Sequence, residues 1–279
     1  MIRPELVVFD IDGTLACPDG TISDRTREAV DLARRSGAHV ALATGRRSLS
    51  AMPVARDLGV TLPVICFNGG LMVDPKTRET VRMVGLRERL ARRVVLAIQG
   101  HGITALLYRH TPNPPDIFHQ LDPSHPAVGS YLAREGENVG RVPDLCQECS
   151  GDVLRVMCFG DHDSIDQVRG TVEKQVSPSE AWTLSSVFRG LSHLEVFPPE
   201  VSKGKAVTEL ASRLEVPMSR VMTFGDGPND VDLLEVAGTG VAMGNAVPEA
   251  LRAADLVTAS QAEDGVAVVL ERVFGGISA

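Results

Sequence analysis

Leu6-Val7-Val8-Phe9 is a wholly apolar run that ends directly on Asp10-Ile11-Asp12-Gly13-Thr14. A run this short reads as a fully buried strand. The layout recurs: Val40-Ala41-Leu42-Ala43 ends on Thr44-Gly45-Arg46, residues 64–67 end on Asn68-Gly69-Gly70, and Val221-Met222-Thr223-Phe224 ends on Gly225-Asp226. Helical patterns separate these strands. Ser23 reads as the N-cap of the first, with Ala29, Val30, Leu32 and Ala33 apolar and Gly37 as the stop. A second lies near Ser48–Leu58, and a third opens at about Lys203. Strand and helix in alternation predict a parallel sheet with helices on both faces, to which both ends of the chain contribute. Ligands of such sheets bind where the strands end.

Those ends carry complementary chemistry. Two carboxylates two residues apart, Asp10 and Asp12, repel each other and attract a divalent cation. One can bind metal and attack; the other can carry a proton. Gly13 lets backbone N–H groups approach an anion. Alone, the motif also fits an ordinary turn. Thr44 adds a hydroxyl and Gly45 a backbone amide. Ser202-Lys203-Gly204-Lys205 places an ammonium at a helix N-terminus, and Gly225–Asp230 brings a second carboxylate cluster. Together they supply a nucleophile, phosphate ligands, charge neutralisation and metal ligands.

At these residues the chain resembles the haloacid dehalogenase superfamily of phosphatases: Asp10–Leu15, Thr44-Gly45-Arg46, Lys203 and Gly225–Asp230 match its four motifs. Ile65–Gly70, Val241–Ala246 and Glu263-Asp264-Gly265-Val266 resemble the Cof-type branch, whose C2-type cap is inserted between the second and third motifs. The resemblance implies a Rossmann-like α/β parallel sheet core with an inserted smaller α+β cap. It implies a core of residues 1–82 and 198–279 and a cap of 83–197, with crossings near Arg82 and Pro198-Pro199.

It also implies roles. Asp10 would be the nucleophile, giving an aspartyl-phosphate. Asp12 would protonate the leaving oxygen and then activate water; the superfamily's ATPase pumps lack this acid, which favours a hydrolase or mutase. Asp226 would complete a Mg²⁺ site with Asp10 and the backbone carbonyl of Asp12. Asn229 and Asp230 either reach metal-bound waters or cap the helix they begin, the former being favoured. Thr44 would offer its hydroxyl to phosphate or close a local turn. The family pattern favours Lys203 over Lys205. Asn68 and Asn245 stand beside glycines, where asparagine also serves left-handed turns, so substrate contact competes with that use. The activity implied is Mg²⁺-dependent hydrolysis of small phosphorylated metabolites, with the cap closing over the site and choosing the substrate. A phosphomutase or a non-catalytic phosphometabolite-binding protein on the same scaffold are the alternatives.

The 279 residues suffice for two domains, and a net charge of −8 argues against nucleic acid or an anionic membrane as the main partner. The first strand follows Met1 almost at once and no apolar run approaches a membrane span, so the expected place is the cytoplasm. Of five cysteines, Cys17, Cys66 and Cys158 read as small apolar groups. Cys146 and Cys149 have metal-ligand spacing but lack a second pair, so a loop in a reducing compartment is expected.

In the middle of the chain, strands are expected at 103–108, 153–159 and 191–197, and helices around Leu86–Ile98 and Ile165–Val172. The Pro-rich stretch 110–130 reads as an extended loop, with His110, His119 and His125 on its surface and no metal among them. Tyr108, Tyr131 and Trp182 are expected to pack the small domain.

Overall fold

The computed structural model describes residues 3–276 except 112, 124 and 189, and only the backbone of 186–188. Contacts divide the chain into two compact units, Met1–Arg82 with Val201–Ala279, and Met83–Glu200.

Along the first third run β1 (Leu6–Phe9), α1 (Asp24–Arg35), β2 (His39–Leu42), α2 (Ser48–Asp57), β3 (Val64–Cys66), β4 (Leu71–Val73) and β5 (Thr80–Met83). The middle third holds α3 (Glu88–Gln99), β6 (Leu106–Arg109), β7 (Ile117–His119), α4 (Pro126–Glu135), β8 (Val139–Arg141), β9 (Val153–Gly160), α5 (His162–Gln175), β10 (Trp182–Phe188) and β11 (Leu191–Phe197). The last third adds α6 (Lys203–Arg213), β12 (Val221–Gly225), α7 (Val231–Val236), β13 (Thr239–Ala242), α8 (Pro248–Ala253), β14 (Leu256–Val257) and α9 (Gly265–Phe274).

In the first unit, five parallel strands lie in the order β14-β13-β12-β1-β2, so β1 sits between the two ends of the chain. Leu6 to Phe9 are all buried and pair in register with Val221 to Phe224. Phe9 and Phe224 stack at 5.1 Å between ring centroids. All five strands run the same way, so their carboxyl ends share one edge. The remaining strands form a small sheet β3-β4-β5, and a parallel bridge from Ala43 to Ile65 carries β3 alongside the end of β2. Ser23 caps α1, its side chain accepting from the Thr26 N–H.

The second unit is a six-stranded sheet, β10-β11-β9-β6-β7-β8, antiparallel except for β7 and β8. Leu90, Val94 and Ile98 of α3 and Ile165, Val168 and Val172 of α5 pack against Leu107, Val156, Cys158, Leu194 and Val196 in one apolar cluster.

The Pro-rich stretch is not a loop throughout. It holds β7 and most of the first two turns of α4. Pro126 stands in the first turn of α4, where a missing N–H costs nothing, and the His125 ring accepts from Ala127 N–H. Proline marked a helix start there. His119 is buried in β7 rather than on the surface, with Nδ1 3.0 Å from the Leu121 carbonyl. The strand expected at 103–108 begins later, at Leu106. Strands β4, β5, β7, β8 and β10 were not expected. Cys146 lies in a one-turn helix over Leu145–Glu148, capped by Asp144.

Candidate active site

The site lies within the first unit, where four strand ends and one helix start meet. β1 delivers Asp10, which is 5% exposed and whose backbone N–H donates to the Phe224 carbonyl. α6 begins at Lys203 behind the Ser202 cap. The Lys203 side chain is fully buried, and its Nζ donates to Asp10 Oδ1 at 2.7 Å and to Asp230 Oδ1 at 2.6 Å. Lys205 is exposed two positions on. A buried ammonium is costly unless paired; these two carboxylates outweigh its desolvation and hold its pKa above the ordinary lysine range.

Asp230 is also fully buried, and its Oδ2 accepts from the backbone N–H groups of Asp226 at 3.0 Å and Gly227 at 2.9 Å. It therefore fixes the loop after β12. Asp226 accepts from the Thr14 hydroxyl at 2.9 Å. Gly13 lies over Asp226 with φ of +78°, and a Cβ there would collide with the Asp226 carboxylate.

One carboxylate oxygen each from Asp10, Asp226 and Asp230 lies within 4.8 Å of the others. Burial pushes the Asp10 carboxyl well above the usual range; Lys203 opposes this and Asp230 adds to it. Burial and the Asp230 charge push Asp226 up to about 7. When all three ionise, one ammonium faces three negative charges, and the excess matches a divalent cation. Hard oxygen donors suit Mg²⁺. Donors and charge fit such an ion.

The Asp12 carboxylate lies outside this cluster. Its two oxygens pair with Arg46, at 2.6 Å to Nη2 and 2.7 Å to Nε. The sequence pointed to Arg46 only as part of a motif. The signal for its partner was the adjacency of β1 and β2, which puts both following loops side by side. Thr44 is buried, and its hydroxyl accepts from Arg46 N–H at 3.1 Å.

Asn68 follows β3 in the left-handed region, φ 54°, and is 1% exposed. Its N–H donates to the Thr44 carbonyl, and its Oδ1 accepts from Asn229 Nδ2 at 2.8 Å. Its Nδ2 is buried without a hydrogen-bond partner. A Cβ on Gly45 would meet Asn68 Oδ1 at 3.1 Å, so Gly45, Asn68 and Asn229 are neighbours. Asn245 is used differently: Nδ2 donates to the Gly13 carbonyl at 2.8 Å and Oδ1 accepts from Gln261 N–H at 3.0 Å, tying three loops together.

The haloacid dehalogenase-like hydrolase family model matches residues 7–270. The chain belongs to that family. Among relatives of this hydrolase, the 5-amino-6-(5-phospho-D-ribitylamino)uracil phosphatase YitU of Bacillus subtilis is 26% identical over 276 residues, spanning 98% of each chain. The HMP-PP phosphatase of Cronobacter sakazakii is 30% identical over 250 residues, spanning 88% of this chain and 86% of that protein. A haloacid dehalogenase-like hydrolase of Bacteroides thetaiotaomicron superposes with a TM-score of 0.84 at 25% identity, covering 98% of this chain and 100% of its own. Enzymes of this family are generally metal-dependent, as the Asp10, Asp226 and Asp230 cluster also suggests. No described helix is long and apolar enough to cross a membrane.

Proposed function

We propose that this hydrolase is a Mg²⁺-dependent phosphatase of small phosphorylated metabolites that works through an aspartyl-phosphate on Asp10. The observation that carries the reading is the Asp10–Lys203–Asp230 chain beside Asp226: a carboxylate at a strand end, an ammonium bound to it, and further acidic oxygens within 4.8 Å. Asp10, Asp226 and the backbone carbonyl of Asp12 would hold Mg²⁺. When bound, the ion neutralises phosphate charge and leaves one Asp10 oxygen to react.

Asp10 Oδ forms a bond to phosphorus as the ester P–O bond breaks. The leaving oxygen takes a proton from Asp12, which in the second step takes one from the water that attacks phosphorus and frees Asp10. Lys203 offsets charge on the transferring group. The Thr44 hydroxyl, whose oxygen already accepts from Arg46, has its proton to give to a phosphate oxygen. The unpartnered Asn68 Nδ2 is a second donor, since an unmade buried hydrogen bond costs about 1–3 kcal/mol that a ligand oxygen recovers. Asn229 orients Asn68. Asp230 acts through Lys203 and the Asp226 loop, and Asn245 by tethering Gly13.

The inserted unit Met83–Glu200 would select among substrates, as the family resemblance implies. The activities named for YitU and the HMP-PP phosphatase support phosphorylated metabolites as the class. All five cysteines are free thiols, which supports a cytoplasmic setting. The test is phosphate release from a panel of phosphorylated metabolites with Mg²⁺, wild type beside Asp10→Asn. Release that Asp10→Asn abolishes is expected. Transfer to a second substrate hydroxyl without free phosphate would make the protein a mutase, and stoichiometric binding without turnover would make it a binding protein.

A further inference from the structure

Cys146 and Cys149 take no part in the site above, yet the second unit brings them together. Cys146 lies in the one-turn 3₁₀ helix Leu145–Glu148, and Cys149 caps its end with φ of −76°. At three residues per turn, side chains three positions apart stand one above the other. The Cys149 N–H donates to the Cys146 carbonyl at 3.4 Å and closes the turn. Such a turn holds its end Cα atoms within about 7 Å, and a disulfide spans about 4.4–6.8 Å between Cα atoms. The Cys149 Sγ folds back over the same turn, donating to the Leu145 carbonyl at 3.7 Å. That carbonyl belongs to the peptide unit that leads into Cys146. Both residues pack on one apolar cluster, Cys149 within it and Cys146 against it.

The two thiols are unequal. Cys146 is half-buried, whereas Cys149 is 2% exposed. Burial pushes the Cys149 thiol up to about 12 and the Cys146 thiol above its ordinary range, with Arg92 opposing both. Thiols held protonated attack slowly, but their reduced form also lacks the thiolate stabilisation that makes a disulfide easy to reduce. A metal fits this pair less well, since a structural zinc takes four ligands. Among the described residues, three close metal donors come together at Asp10, Asp226 and Asp230 and not here.

We infer that Cys146 and Cys149 are a reversible dithiol–disulfide pair, closed by exchange with a small-molecule disulfide such as oxidised glutathione. The accessible Cys146, as thiolate, attacks one sulfur of the oxidant. The oxidant's S–S bond breaks, and its first half leaves and takes up a proton. Cys149 then loses its proton to solvent and attacks the Cys146 sulfur, expelling the second half as a thiol. Two protein thiols are oxidised by two electrons, and one small disulfide is reduced to two thiols. Closing a ring this short constrains the unfolded chain least, so the bond acts as a redox state more than as a staple.

The experiment uses the full-length protein and needs no phosphatase activity. The protein is held in excess oxidised glutathione, denatured, alkylated and digested with trypsin, which leaves both cysteines in the one peptide 142–155. That peptide should lose two hydrogens and escape alkylation, and dithiothreitol should restore both thiols. In Cys149→Ala, glutathione should remain on Cys146 as a mixed disulfide; in Cys146→Ala, the buried Cys149 should stay reduced. Thermal unfolding checks that both variants fold, and the wild-type peptide reads the pair without them. A glutathione adduct that persists on wild-type Cys146, a bond from either residue to another cysteine, or two unchanged thiols overturns the inference.

Discussion

Arg46 grips Asp12 with both arms of its guanidinium, Nη2 2.6 Å from Oδ1 and Nε 2.7 Å from Oδ2, while Asp12 remains largely exposed. A bidentate pair fixes orientation as well as charge. If Asp12 carries the proton as proposed, Arg46 would position it. Arg46→Ala should slow alkyl phosphates more than nitrophenyl phosphate, because only the former need a proton on the leaving oxygen. General acid catalysis is worth about 10²–10⁴-fold, which bounds the loss. Arg46→Lys keeps the charge but not the fork and should fall between. The measurement is the dependence of rate on leaving-group basicity; an unchanged slope in Arg46→Ala would remove the positioning role.

Asp10→Asn is nearly isosteric and a poor nucleophile. Turnover should fall below about a hundredth of wild type, with the fold kept by the β1–β12 pairing. Lys203→Met should behave differently. It strands Asp10 and Asp230 without their shared ammonium, and breaking a buried pair costs about 3–5 kcal/mol. Thermal unfolding should separate them: a small change for Asp10→Asn, a large drop for Lys203→Met. Equal melting temperatures would show that the ammonium is not structural.

The Asp226 carboxyl, raised to about 7, would link the proposed metal binding to pH. An unfolded Asp titrates near 3.9. The folded state therefore keeps a proton that the unfolded state loses between about pH 4 and pH 7. On this account stability without metal declines through that window and levels above it. Mg²⁺ must displace the proton, so its affinity should rise at least about tenfold per pH unit up to neutrality and then flatten. The melting-temperature gain from Mg²⁺ should be small at pH 5.5 and full above pH 7. A gain independent of pH, or one that survives unchanged in Asp226→Asn, would contradict the assignment.

Gly13→Ala isolates the contact between the first loop and Asp226. Gly13 and Gly20 both have positive φ, +78° and +87°, but Gly20 has open space around its Cβ position. Both substitutions carry backbone strain of about 1–3 kcal/mol. Only Gly13→Ala also displaces Asp226, so it alone should weaken Mg²⁺ binding, by about tenfold or more in a titration. Equal effects at the two positions would mean that strain is the whole cause.

The parallel sheet was legible because its signals are local: short apolar runs, glycine stops, and polar residues at the strand ends. β1, β2 and β12 fall where the runs of Leu6, Val40 and Val221 put them. What was hidden depended on tertiary context. β10 and β8 carry weak patterns and exist because neighbours supply their hydrogen bonds. α4 starts at a proline that reads equally as a loop. In the site, residue types were readable but partners were not. Nothing local says that Asp12 meets Arg46, that Asp230 spends one oxygen on Lys203 and the other on two backbone amides, or that both ends of Asn245 are taken by loops.

The place of β1 between β12 and β2 has a consequence during synthesis. Lys203 is made 193 residues after Asp10, and Asp226 and Asp230 later still. At about 5–20 residues per second, about 10–40 seconds pass before that ammonium is made. Throughout that interval the nascent chain displays a carboxylate with neither its counter-charge nor the flanking strand that will bury it. The Asp10–Lys203 pair can form only after that interval, and the β1–β12 pairing that flanks Asp10 later still, once Val221–Gly225 has been made.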